Sequence, residues 1–323
     1  MRVFVTGATG LIGFATVKEL LAAGHQVTGL ARSEASGRKL IEAGAQVALG
    51  TVDDLDSLRR AAASADGAIH TAFYHKLSHI PLMTRLGVFL GGAPGGIFMR
   101  FMQAAAVADR RAIETIAAAL PGKGSPLVAA FGTLGMKPGR LATEDEEYDH
   151  DFTAMGIGRA RTEDTLKELA SQGIRASAIR LPPIVHGPDA FGLAMLLIPM
   201  ARKKKESAYV GDGLNRWPSV HYLDAANLFR LALEKGPAGG TYHGVDEEGI
   251  PFRDIAGVIG RRLNVPVVSK PASEAAKQFS FIARPVQIDN PTSSKLTRER
   301  LGWTPTHMGL LADLEQTDFF SKV

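Results

Sequence analysis

Over the first 180 residues, short apolar runs alternate with stretches in which apolar positions recur every three or four residues. The runs are Arg2–Thr6, Gln26–Ala31, Gln46–Leu49, Gly67–Ala72, Pro126–Phe131 and Ala176–Leu181. Each is short and bounded by glycine or polar residues, the pattern of buried strands. Helical periodicity predicts one helix over Leu11–Ala23, with Leu20 and Leu21 facing in and Gly24 as its left-handed stop. A second helix is predicted over Thr153–Gln172, with Leu166, Leu169 and Ala170 on one face and Gly173 as its stop. Strands alternating with helices give βαβ units, and six such strands give an α/β fold with a doubly wound parallel sheet.

After Pro182-Pro183 the rhythm changes. Helices are predicted near Phe191–Lys204, Leu223–Glu234, Phe252–Leu263 and Glu274–Phe279, separated by loops such as GDGLNRWPSVH. The division expected is a sheet domain over 1–181 and a smaller, mostly helical lobe over 182–323 at the carboxyl edge of the sheet, with room for one segment to return to the first domain. The apolar stretch Ile80–Phe98 is broken by Arg85, Pro94 and five glycines, too interrupted to span a bilayer. It reads as a long loop after the fourth strand: a lid, a contact surface for a second subunit, or a surface insertion.

Composition narrows the class. The 323 residues are 45% hydrophobic and 22% charged, an ordinary globular balance. The 37 basic and 33 acidic residues leave a net charge of +4, which argues against nucleic acid as a partner. The basic run Arg202-Lys203-Lys204-Lys205 is read as a solvated helix end. The absence of cysteine excludes disulfides and thiolate metal sites and fits a cytoplasmic protein, and no signal-peptide pattern precedes the first strand.

The chemistry is concentrated at the first strand-to-helix junction, VTGATGLIG. Gly7 permits a tight turn, Gly10 lets a pyrophosphate approach the backbone, and Gly13 lets the helix pack close to the sheet. The first-turn amides and the positive end of the helix dipole then attract phosphate. The candidate coenzyme-binding residues here are Gly7, Thr9, Gly10, Leu11, Ile12 and Gly13. This stretch resembles the coenzyme loop of the short-chain dehydrogenase/reductase superfamily, in its extended branch of NAD-dependent epimerase/dehydratase-like proteins. DGAIHTAF resembles the family's fourth strand, RLPPIVHGP the segment after strand six, VGDGLNRWPSVHYLDAANLF the substrate-lobe stretch, and KLTRERLGWTP the C-terminal signature. The resemblance covers nearly the whole chain and implies a Rossmann domain with a substrate lobe. Extended members often dimerise through two helices, so it also implies a homodimer.

An acidic residue at the end of the second strand would favour NAD. Here the strand ends Gly29-Leu30-Ala31-Arg32-Ser33. Arg32 offers a guanidinium fork to a 2′-phosphate and Ser33 a hydroxyl, with Arg38 in reach from the next helix. NADP is therefore expected, with NAD the less favoured coenzyme. The resemblance also implies an adenine contact after strand three, where Thr51 replaces the family's Asp, leaving Asp53 or the backbone to serve. It further implies Thr71 and Ala72, at the end of strand four, as coenzyme neighbours.

The family's usual machine is a Ser or Thr after strand five and a Tyr–Lys pair four residues apart on the next helix. Only Thr133 keeps a hydroxyl after strand five. Met155 and Arg159 fall at the Tyr and Lys positions, and none of the five tyrosines has a lysine four residues later. In this the chain resembles the atypical members of the superfamily. Arg159 stays charged and can bind ribose or an anionic substrate. Tyr74 and His75, after strand four, are the candidates to replace the missing proton donor. Met155, Pro183, His186 and His221 are the candidate substrate residues, and no metal is expected. Asp224, by the same resemblance, caps backbone at a helix start. The expected activity is NADP-dependent reduction of a carbonyl or related group on a small apolar molecule. A non-catalytic NADP sensor and an epimerase or dehydratase are the alternatives.

Overall fold

The computed structural model describes residues 1–74, 76–93, 96–122, 124–149, 157–188 and 190–322, apart from the side chains of 157, 158 and 322. The chain forms two compact units that alternate along the sequence. One comprises Met1–Phe131, Met155–Ile179 and Ala226–Tyr242; the other comprises Gly132–Ala154, Arg180–Ala225 and His243–Val323. Among the described residues no helix is long and apolar enough to cross a membrane.

The first unit is built on β1 (Arg2–Thr6), β2 (Gln26–Ala31), β3 (Gln46–Leu49), β4 (Gly67–His70), β5 (Pro126–Gly132) and β6 (Arg175–Leu181). Its helices are α1 (Leu11–Ala22), α2 (Glu34–Glu42), α3 (Leu55–Ala63), α4 (Leu82–Leu90), α5 (Ile97–Ala119) and α6 (Ile157–Ser171). The pairs β1/β2, β1/β4, β2/β3 and β4/β5 are parallel, with Val3 opposite Val27 and Val5 opposite Ile69. Val3, Phe4 and Val5 are buried because helices cover both faces of a parallel sheet, so the strand reads as a continuous apolar run. The start expected for the second helix, at Thr153, lies outside the described residues.

The stretch expected as a loop at 80–98 contains α4. Pro81 sits at its N-cap and Gly91 at its C-cap, and the nine residues between carry no other breaker than Gly87. A helix satisfies the backbone there at no cost in burial. Its outward side chains are apolar: Met83 and Leu90 are 77% and 80% exposed.

The second unit carries β7 (Ile184–Gly187), β8 (Ala190–Phe191), β9 (Ser207–Val210) and β10 (Arg216–His221), with α7 (Ala194–Lys204). Next along the chain come α8 (Tyr222–Lys235) and β11 (Gly240–His243), most of each belonging to the first unit, and then β12 (Glu247–Pro251), α9 (Phe252–Leu263) and β13 (Val267–Lys270) of the second. β11 completes a seven-stranded sheet of order β11-β6-β5-β4-β1-β2-β3, while β12-β10-β7-β8 and β13-β9 form smaller sheets. The expected loop GDGLNRWPSVH therefore contains a strand, β10. Pro218 hides it, because proline cannot donate to a ladder; the pairing with β12 shifts register between Trp217 and Ser219. Trp217 is fully buried, edge-on to Phe252 at 5.0 Å between ring centroids. It anchors a core that also takes in Ile184, Phe191 and Phe279.

Candidate active site

β1 ends at Thr6 and the chain turns at Gly7, whose φ of +67° places it in the left-handed region. Gly7 O accepts the Gly10 N–H at 2.8 Å. A Cβ on Gly7 would stand 2.6 Å from Thr71 Oγ1 and 2.7 Å from Ala72 N, so the loop lies against the end of β4. A Cβ on Gly13 would stand 2.1 Å from Gly7 O. Both glycines are required by protein packing alone. Gly10 differs: among the described residues a Cβ there would meet only Gly7 O, at 3.2 Å, and the residue is exposed. The start of α1 has no side-chain cap and no acidic residue in its first turn. An open glycine facing uncapped amides fits the diphosphate of a nicotinamide dinucleotide.

At the end of β2, Arg32 is exposed, and its charge acts on both Tyr74 and His79. Ser33 has a different task from the one expected. Its hydroxyl accepts the Ser36 N–H at 3.2 Å while Ser36 Oγ accepts the Ser33 N–H at 3.2 Å, a capping box that starts α2. Lys39, which the sequence did not single out, reaches the glycine loop. Its ammonium donates to Thr9 O and lies 4.7 Å from the Phe14 ring centroid, and partial burial lowers its pKa. Arg38 and Lys39 are adjacent on one helix, where successive side chains diverge, so the sequence offered two cations for one position.

Tyr74 is buried and its hydroxyl donates to Asp53. Burial first, and then the Asp53 carboxylate, push the phenol well above its ordinary pKa. A hydroxyl whose proton is held this way is a weaker acid than a free phenol. Asp53 in turn is engaged by that hydroxyl. Arg159 also departs from expectation. It donates to Ala130 O, lies 3.6 Å from Asp109 Oδ2, and its guanidinium stands 4.2 Å and 4.9 Å from the Phe73 and Phe131 ring centroids. It is a clamp between aromatic faces rather than a free cation. Behind it, Asp109 Oδ1 lies 3.0 Å from His70 Nε2, and His70 Nδ1 lies 2.8 Å from Thr6 Oγ1. The buried chain Arg159–Asp109–His70–Thr6 thus ends one residue before Gly7. The signal for Asp109 was a single acid on the otherwise apolar face of α5.

In the second unit, Thr133 is fully buried. Its hydroxyl donates to Asn290 Oδ1 at 2.7 Å, and Asn290 Nδ2 donates back to Thr133 O at 3.0 Å. The hydroxyl proton expected for a substrate oxygen is committed to Asn290. Pro183 is half-buried just before β7. His186, on β7, has Nδ1 2.7 Å from Asp313 Oδ2. His221, at the end of β10, packs edge-on to His186 at 5.4 Å and stacks on His307 at 4.4 Å and 12°. Burial, followed by the neighbouring His307 and His186, lowers the His221 pKa to about 4. Asp224 caps backbone, but of the 306–307 turn: it accepts the N–H groups of Thr306 at 3.0 Å and His307 at 3.2 Å. His75 and Met155 lie outside the described residues.

Residues 7–137 match the family described as NAD(P)H-binding. A double mutant of the dTDP-glucose 4,6-dehydratase DesIV from Streptomyces venezuelae, solved with NAD bound, shares the fold at a TM-score of 0.72 and 17% identity, over 100% of this chain and 97% of that one. The chain has the fold of this NAD-bound dehydratase, and its residues 7–137 carry the NAD(P)H-binding match. The chain is 45% identical over 321 residues to the uncharacterized protein C2A9.02 of Schizosaccharomyces pombe, covering 99% of this chain and 100% of that protein. It is 26% identical over 260 residues to the 4-hydroxy-2-methyl-3-oxo-4-farnesyl-3,4-dihydroquinoline-1-oxide ketoreductase of Stigmatella aurantiaca, covering 79% and 71% respectively. The nicotinamide dinucleotide expected from the glycine loop is therefore the coenzyme class of the family.

Proposed function

We propose that this chain is an NADP-dependent oxidoreductase of the extended short-chain dehydrogenase/reductase type that reduces a carbonyl or related group on a small apolar molecule. The observation that carries this reading is the anion-ready glycine loop beside a cationic end of β2. Arg32 follows the strand and Lys39 reaches Thr9 O, while no acid stands between Val27 and Ser33. The α1 amides hold the diphosphate, and Arg32 holds the 2′-phosphate that an acid would repel. Bound NADPH supplies the hydride. The Arg159–Asp109–His70–Thr6 chain keeps the strand end before the glycine loop in register. The Stigmatella relative, named for a ketoreductase, supports a carbonyl on an apolar substrate.

The test is a fluorescence titration with NADPH and NADH, followed by NADPH consumption across a panel of aliphatic and aromatic ketones and aldehydes. NADPH should bind at least ~10-fold more tightly than NADH, corresponding to about 1.4 kcal/mol, and Arg32→Ala should erase the difference. Equal affinities would overturn the coenzyme assignment. One observation favours a second reading, coenzyme binding without turnover: the Thr133 and Tyr74 hydroxyls and the Arg159 guanidinium are each already engaged. Tight NADPH binding with no consumption on any carbonyl would decide for it.

A further inference from the structure

We propose that His221, His307 and Asp224 form a binding site for a late first-row divalent cation of the Zn²⁺ class. Each residue offers one donor atom, and the three atoms lie within 4.8 Å of one another. Two imidazoles and a carboxylate are the ligand set such ions prefer, and three protein ligands leave a fourth position for water or a ligand oxygen. That position has an approach path. His221 and His307 line a cavity of ≈ 400 Å³ together with Asp313, Thr317 and Pro188.

The groups around the three ligands are arranged as outer partners of a metal site are. The Asp224 carboxylate is oriented by the backbone N–H groups of Thr306 and His307, at 3.0 and 3.2 Å. Its own carbonyl accepts the indole N–H of Trp303 at 3.0 Å, which fixes the backbone it hangs from. His186, held by Asp313 at 2.7 Å, packs edge-on against His221 and sets the plane of that ring. Hydrogen-bonded carboxylates and ring-orienting neighbours of this kind normally surround ligating residues.

With metal–nitrogen distances of about 2.0–2.1 Å, a tetrahedral site needs donors about 3.4 Å apart. The cluster must therefore contract by roughly an ångström from its widest span. His307 can supply that movement: its side chain is 39% exposed, and its contacts to the site are the stack on His221 and the Nδ1 contact to Asp224 at 2.8 Å. In the bound state Nδ1 or Nε2 of His307 turns from the stack onto the ion. The ion then ties the turn at 303–307 to the end of β10 and the start of α8.

The experiment uses the full chain without a polyhistidine tag, freed of metal with a chelator. It is titrated with Zn²⁺ by calorimetry and with Co²⁺ by visible absorption. The proposal expects one equivalent of Zn²⁺ per chain, visible Co²⁺ bands of four-coordinate intensity, and a melting temperature raised by Zn²⁺. His307→Ala, a half-exposed position whose loss the fold tolerates, should weaken Zn²⁺ binding by more than about tenfold and abolish the Co²⁺ bands. His221→Ala should do the same, and His79→Gln should leave both unchanged. Absence of a saturable one-equivalent event would overturn the proposal, as would binding that survives His307→Ala or is removed by His79→Gln.

Discussion

Gly10 and Gly13 sit three residues apart, yet their substitution should fail in different ways. A methyl at 13 is driven into Gly7 O at 2.1 Å, so Gly13→Ala should cost about 1–3 kcal/mol of stability and weaken coenzyme binding with it. A methyl at 10 meets, among the described residues, only Gly7 O, at 3.2 Å, and enters the space assigned to the diphosphate. Gly10→Ala should leave the urea midpoint nearly unchanged while lowering NADPH affinity more than about tenfold, a split of about 1.4 kcal/mol seen in binding alone. Arg159 makes the opposite case, a residue whose value is structural. Arg159→Met keeps apolar bulk between Phe73 and Phe131 but leaves the buried Asp109 carboxylate, 1% exposed, without its cation. A loss of about 3 kcal/mol is expected in denaturant unfolding. Asp109→Asn added to that variant should recover part of it.

Elements were legible where local pattern alone decides them. β1, β2 and β3 begin and end where the apolar runs do. For β1, buried on both faces, there is no other place to put those residues, while β3 is a partly exposed edge strand whose run is still bounded by glycine. The glycine loop was legible because its three glycines fall within seven positions of one another at the end of an apolar run, although the need for Gly7 also comes from Thr71 and Ala72 at the end of β4. The contacts that replaced the expected catalytic roles were not. Asp109 meets His70 across 39 positions, and Asn290 meets Thr133 across 157. Nothing in the local sequence of Thr133 announces that its hydroxyl is already taken. α4 was hidden by Gly87 and the glycines that follow it, and β10 by Pro218, with Gly87 and Pro218 breakers that tertiary packing tolerates. α4 remains unusual in what it shows to solvent. Met83→Gln with Leu90→Gln should change stability by no more than about 0.5 kcal/mol, because neither side chain is buried. A larger loss in thermal unfolding would mean that this face is covered in solution.

On the scale of the molecule, the second unit carries a built-in sensitivity to acid. His243 is fully buried, and desolvation, reinforced by the Arg180 cation, lowers its pKa to about 3. Its Nδ1 lies 2.8 Å from Ser293 O and its Nε2 lies 3.3 Å from Arg180, so it is held neutral. An unfolded chain would protonate this ring near pH 6.5. The folded state therefore keeps the whole contribution above that pH and loses it as the pH falls from about 6.5 towards 3, by up to about 1.4 kcal/mol per pH unit. Urea midpoints measured across that window should fall with acid, and His243→Asn should flatten the slope.

The interleaving of the two units has a consequence for anyone dividing the gene. Ala226–Tyr242 belongs with the first unit, and most of β11 lies within it, beyond β6 at the end of the large sheet. A polypeptide stopped at residue 181 would expose the main-chain donors and acceptors of β6 that β11 otherwise satisfies, an open border of the sort that templates intermolecular pairing. Such a fragment should precipitate when expressed alone, and co-expression of the missing seventeen-odd residues as a peptide should bring it back into solution.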